Sequence, residues 1–174
     1  MDWVAGLARW FHYLAGVLWI GLLYYFNFIQ GQALAEAAKT NEGAGITKYV
    51  APRALQYFRW AALATWLMGA VLLSTLPGNH CCGGSGFDAF MLKPPFAGIG
   101  IGAWLGTIML FNVWVLIYPN QMKVLGKVPA TDAEKAKARR IAFLASRTNV
   151  MFSLPMLFFM AFGFNHAAIV GLGI

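Results

Sequence analysis

The sequence predicts an all-α integral membrane protein, a four-helix bundle, and three observations carry that reading. Hydrophobic residues make up 60% of the chain and charged residues only 11%, whereas soluble domains carry about 25% charged residues. The apolar residues gather in four continuous runs, each long enough for the roughly 20 residues with which a helix crosses a bilayer. None of the runs alternates polar with apolar side chains, as the strands of a membrane barrel would. The spans share no repeat, so one transmembrane domain over residues 1–174 is expected.

The first span covers about residues 8–30, its start falling between Trp3 and Trp10. No basic segment precedes it and no A-x-A-like cleavage site follows, so it is expected to be retained rather than removed as a signal peptide. A polar connection runs from Gly31 to Arg53, with Pro52 marking the approach to the next helix. The second span covers about residues 57–76 and stops at Pro77-Gly78, a strong breaker. A loop rich in Gly and Pro extends to Pro95, and the third span, about 96–118, is expected to end at Pro119-Asn120. Thr131-Asp132-Ala133-Glu134 reads as a helix start with acidic residues in its first turn. Its basic continuation leads into the fourth span, about 149–172.

Charge sets the expected orientation. Of the 13 Lys and Arg residues, all but Arg9 and Lys93 lie in or beside the first and third connections. The positive-inside rule then places those connections in the cytoplasm and both termini outside. The net charge of +7 is thus a topology signal, with anionic lipid the expected neighbour of the third connection. It does not indicate nucleic acid, because no basic surface interleaved with stacking aromatics stands on a soluble domain.

The histidines gain interest from this topology. His12 lies inside the first span, and an ionisable side chain within a spanning helix is a functional-site hypothesis by default. Gly16 and Trp19 fall one and two turns further along the same face. His166 belongs to the outer end of the fourth span, at a depth similar to His12. The third span begins on that side with Gly98, Gly102 and Gly106, spaced every four residues. Such a row lets helices pack closely, and it equally clears room for the edge of a macrocycle. Two histidines on separate helices supply both axial positions of a haem iron, leaving it six-coordinate and suited to electron transfer. His12 and His166 are therefore the expected ligands of a b-type haem, with Gly16, Gly98, Gly102 and Gly106 beside it. The plainer reading is a histidine bonded within the bundle.

Asn27, Arg59, Asn112 and Asn149 form a second polar layer near the cytoplasmic ends of the spans. Asparagines bond across helices and arginines reach toward headgroups; the sharper reading is a pocket for a quinone head group or another small ligand. The external loop carries His80-Cys81-Cys82, which is not the pattern that attaches haem covalently. Copper ligation by these side chains and pairing of the thiols with another chain are open there.

Several segments carry a family resemblance: Trp10-x-His12-x3-Gly16-x2-Trp19-Ile20-Gly21, Phe58-Arg59-Trp60, Thr65-Trp66-Leu67-x-Gly69, Asn112-Val113, Tyr118-Pro119-Asn120-Gln121-Met122-Lys123-Val124, Asn149, Ser153-Leu154-Pro155 and Asn165-His166. Together they resemble the urate oxidase N-terminal domain family, the membrane part of bacterial membrane-bound urate oxidases, over nearly all of the chain. The Pro-Asn-Gln segment is the most specific of them. The resemblance implies a helical domain of the bacterial inner membrane, often joined to a C-terminal cytochrome c, expected here without that domain. His12 and His166 match the family's histidines, and His80 matches nothing identified.

The expected function is a membrane-embedded b-type haem protein in electron transfer, a subunit or partner of a larger redox complex or of a cytochrome c. A cofactor-free accessory subunit of a respiratory or photosynthetic complex, a urate oxidase-like enzyme, and a transporter using the polar layer are the alternatives. The topology has its own test. A cysteine placed at position 43 should resist a membrane-impermeant thiol reagent in intact cells, and one at the C-terminus should react. Labelling at position 43 from outside would reverse the orientation.

Overall fold

Helices account for all the regular structure among the described residues. The structure, a computed structural model, describes residues 3–40, 42–75, 86–94 and 96–163. Four helices are long and apolar enough to cross a membrane: α1 (Trp3–Ala37), α2 (Ile46–Ser74), α4 (Ala97–Val124) and α5 (Asp132–Phe162). A short α3 (Gly86–Phe90) precedes α4. Large apolar side chains such as Trp10, Phe11, Val17, Tyr57 and Met151 stand exposed on the outer faces. A lipid-facing surface has this character, since hydrocarbon favours apolar side chains outside as well as inside.

The helices overrun the spans expected from apolarity. With 35 residues, α1 rises about 52 Å, well beyond a hydrocarbon core of roughly 30 Å. The stretch 31–53, expected as a loop, is helical up to Ala37 and again from Ile46. Pro119 does not end α4, which continues to Val124. Both prolines follow a widened turn. Residues Ile46–Val50 are π-helical ahead of Pro52, and Asn112–Ile117 are π-helical ahead of Pro119. A proline ring clashes with the carbonyl four residues earlier; those carbonyls, on Lys48 and Val115, sit inside the two π segments. The wider i→i+5 turn accommodates the ring, and the helix carries on. A third π segment, Tyr25–Gln30 in α1, has no proline after it.

The start of α5 is as expected. Thr131 accepts from the Glu134 N–H at 3.3 Å while the Glu134 carboxylate accepts from the Thr131 N–H at 2.7 Å. This capping box satisfies two donors that a helix start leaves unpaired.

Packing proceeds in pairs, α1 against α2 and α4 against α5, and hydrogen bonds tie the pairs together. Trp66 Nε1 donates to Thr107 Oγ1 at 2.9 Å, joining α2 to α4. Tyr24 O–H donates to Ser153 Oγ at 2.9 Å, joining α1 to α5, because the Ser153 proton already goes to the Val150 carbonyl. Gln56 reaches Tyr118 and Asn27 reaches Ser146 at the end where the lysines and arginines gather, the basic end of the bundle. The core between them is filled by Trp19, Leu23, Phe58, Met109, Val113 and Met156.

The glycine row of α4 divides by role. A Cβ on Gly98 would lie 3.0 Å from the Gly163 backbone, and one on Gly102 would lie 3.3 Å from the Met160 backbone nitrogen. These two glycines set the close crossing of α4 and α5. Gly102→Leu should therefore lower the melting temperature in detergent, by an overpacking cost of about 1–3 kcal/mol. Gly21→Leu, whose Cβ meets nothing within 4 Å, should not; equal melting of the two variants would remove this crossing as the reason for Gly102.

Candidate functional site

His12 lies against α2, where the chain supplies both a partner and room. Its Nδ1 lies 2.8 Å from the Thr65 carbonyl oxygen. A carbonyl only accepts, so Nδ1 carries a proton, and in the neutral ring Nε2 keeps its lone pair. Room comes from Gly69, one turn beyond Thr65: a Cβ there would sit 3.1 Å from His12 Cε1. The Thr65 hydroxyl turns back to the Ala61 carbonyl at 2.7 Å. Its methyl faces Gly16, where a Cβ would lie 3.7 Å away. That distance is ordinary contact, so Gly16 is not what sets the approach of α1 to α2.

A cavity of about 610 Å³ opens beside this histidine, within the size range of small-ligand sites. It is bounded by His12, Arg9 and Trp19 of α1, Gly69 of α2, Gly106 of α4, and Met156 and Met160 of α5. Gly106 has open space where its Cβ would be. The Trp19 indole is 2% exposed, and its Nε1 is buried without a hydrogen-bond partner. Of the three glycines expected beside a cofactor in α4, Gly106 lines the cavity, while Gly98 and Gly102 hold α5.

His166, the expected second ligand, lies outside the described residues, as do His80, Cys81 and Cys82. Among the described residues no three His, Cys, Asp or Glu side chains converge as a metal cage.

The four residues of the expected polar layer do not share one pocket. Asn112 Nδ2 donates to Asn149 Oδ1 at 2.8 Å, and Asn149 Nδ2 to the Met109 carbonyl at 3.0 Å. That pair locks α4 to α5 and is fully enclosed. Asn27 Nδ2 donates to the Leu23 carbonyl and to Ser146 Oγ, joining α1 to α5. Arg59 is held elsewhere, its guanidinium carbon 4.0 Å from the Tyr118 ring centre, 4.9 Å from Trp114 and 5.0 Å from Trp60. Gln56 Oε1 accepts from it at 2.9 Å. Of the four, Asn27 borders a second cavity, at the basic end.

The sequence marks Thr65 and Gly69 as part of a family-like segment but assigns neither a role beside His12. The Thr65-x3-Gly69 spacing is a small-residue pattern that allows close helix approach. A backbone acceptor, though, leaves no mark in a sequence.

The fold and this site define a class: an α-helical bundle of membrane-spanning type with a histidine-bearing cavity between its helices. Residues 88–170 match the family model described as urate oxidase N-terminal, which supports the family that the motifs resemble. The match takes in α4 and α5 with Asn112 and Asn149; His12, Thr65 and Gly69 lie outside it. No curated protein and no solved structure matches the chain.

The setting of Arg59 predicts a structural effect. Arg59→Lys keeps the charge but not the planar group that stacks among three rings. It should lower the melting temperature, at a cost of about 1–2 kcal/mol for cation–π contacts, while the protein still assembles. A variant that melts like the wild type would mean that the stack contributes nothing.

Proposed function

We propose that the protein is a membrane-embedded b-type haem protein of electron transfer, a subunit or partner of a larger redox complex in the bacterial inner membrane. His12 is one axial ligand and His166 the other. The observation that carries this reading is the hydrogen bond from His12 Nδ1 to the Thr65 carbonyl. Metal-bound histidines almost always donate their other ring nitrogen to a carbonyl or carboxylate, which fixes tautomer and orientation. That bond leaves Nε2 as the ligating nitrogen of a residue that lines a 610 Å³ cavity.

The remaining lining fits the same group. Gly106 leaves room for a flat ring, Trp19 and Met156 keep the interior apolar, and the exposed Arg9 offers a cation to carboxylate edges. Bound there, a haem iron held by two nitrogen ligands passes one electron at a time without binding substrate. The chain's part is to hold the imidazole rigid and to exclude water. The family match favours a second reading, in which the domain serves urate oxidation directly or through a cytochrome c. Loss of urate absorbance on mixing with the purified protein would identify it.

An absorption spectrum of the purified protein tests the proposal. The reduced wild type should show a low-spin b-type spectrum, and His12→Ala should turn it high-spin or abolish it. Gly106→Leu should cut haem content by filling the open space beside the histidine, without removing a ligand. Full haem with an unchanged low-spin spectrum in both His12→Ala and His166→Ala would defeat the assignment. A colourless wild type would favour an accessory subunit.

A further inference from the structure

The basic end of the bundle holds a second cavity, of about 610 Å³, that the histidine site does not use. All three π-helical segments border it: Phe26, Asn27 and Gln30 from the first, Thr47 from the second and Ile117 from the third. Two of those segments make way for prolines. The first, Tyr25–Gln30, has none to accommodate, and π turns of that kind are frequent at functional sites. It also brings two polar side chains, Asn27 and Gln30, to the cavity.

The hydrogen bonds left over at those groups define the ligand. Asn27 is only 8% exposed, and its amide nitrogen is committed to the Leu23 carbonyl and Ser146 Oγ. Its oxygen is therefore left to accept. Gln30 Oε1, one turn on, is buried without a partner. Ser146 accepts from Asn27 and keeps its own proton to donate. The walls are apolar, with Leu55, Phe58 and Phe26 among them, and Arg139 is the one charged residue among the described lining. Two unmet amide oxygens disfavour an anion, and Arg139 with no carboxylate disfavours a cation. A neutral ring bearing hydroxyl donors fits.

We propose that this cavity binds the head group of a membrane quinol, its hydroxyls donating to the amide oxygens of Asn27 and Gln30. The oxidised quinone presents only acceptors, so it meets the donors of Ser146, Gln30 and Arg139 but leaves both amide oxygens unmet, and the reduced form binds more tightly. The proposal concerns binding and does not rest on the haem reading.

Calorimetric titration of the full chain in lipid nanodiscs, with a decyl-substituted benzoquinol and its quinone as probes, tests it. The quinol should bind saturably and more tightly than the quinone. Gln30→Met, which keeps the volume and removes the acceptor, should weaken quinol binding about tenfold, the equivalent of one well-made hydrogen bond. Its melting temperature without ligand should stay at the wild-type value. Ser146→Ala should weaken the quinone more than the quinol, and His12→Ala should change neither affinity, which separates this site from the haem. No saturable quinol binding by the folded wild type would overturn the proposal. So would wild-type quinol affinity in Gln30→Met, or a site that takes anionic phospholipid instead and loses it in Arg139→Gln.

Discussion

A helix that runs through hydrocarbon has no water to satisfy its polar side chains, so each must find a partner inside the bundle. That constraint shapes this structure more than any single apolar contact. Asn112 and Asn149 satisfy each other and a backbone carbonyl, Tyr24 bonds Ser153, Trp66 bonds Thr107, and His12 bonds a carbonyl of the neighbouring helix. Each bond also fixes the register of one helix against another. Among the described residues, the buried polar atoms that escape the rule are Trp19 Nε1, Gln30 Oε1 and Arg59 Nε. Trp19 borders one cavity and Gln30 the other. Arg59 lies among aromatic rings that compensate through their faces.

Small residues decide how closely the helices approach and hence where space remains. Gly98 and Gly102 draw α5 onto α4, and Gly69 admits the His12 ring between α1 and α2. Gly106 does neither, because α4 has by then moved past the tight crossing, and its vacant side opens onto the histidine cavity. The core cluster borders both cavities, with Trp19 and Met156 lining the first and Phe58 and Ile117 the one at the basic end.

The widened turns have a comparable effect at the basic end. They let α2 and α4 carry prolines without stopping, so both helices run past the apolar stretch that marked them. The three π turns border the same space at the basic end.

By itself, the sequence determined the architecture: an all-helical chain with four spans, in which Thr131 and Glu134 start the last long helix. Those features rest on composition, periodicity and capping, which are local and so leave a trace in residue order. Local rules also misplaced the helix ends, because Pro52 and Pro119 count as breakers until a π turn precedes them. His12 stood out as a lone ionisable group in an apolar helix. The tertiary structure alone decided its partner, since a backbone carbonyl on α2 looks the same at every residue. It also decided that Gly69 rather than Gly16 makes room for the ring, and that Asn27, Arg59 and the Asn112–Asn149 pair go three separate ways. Helix rotation and register settle such choices, and they depend on the summed packing of all four helices.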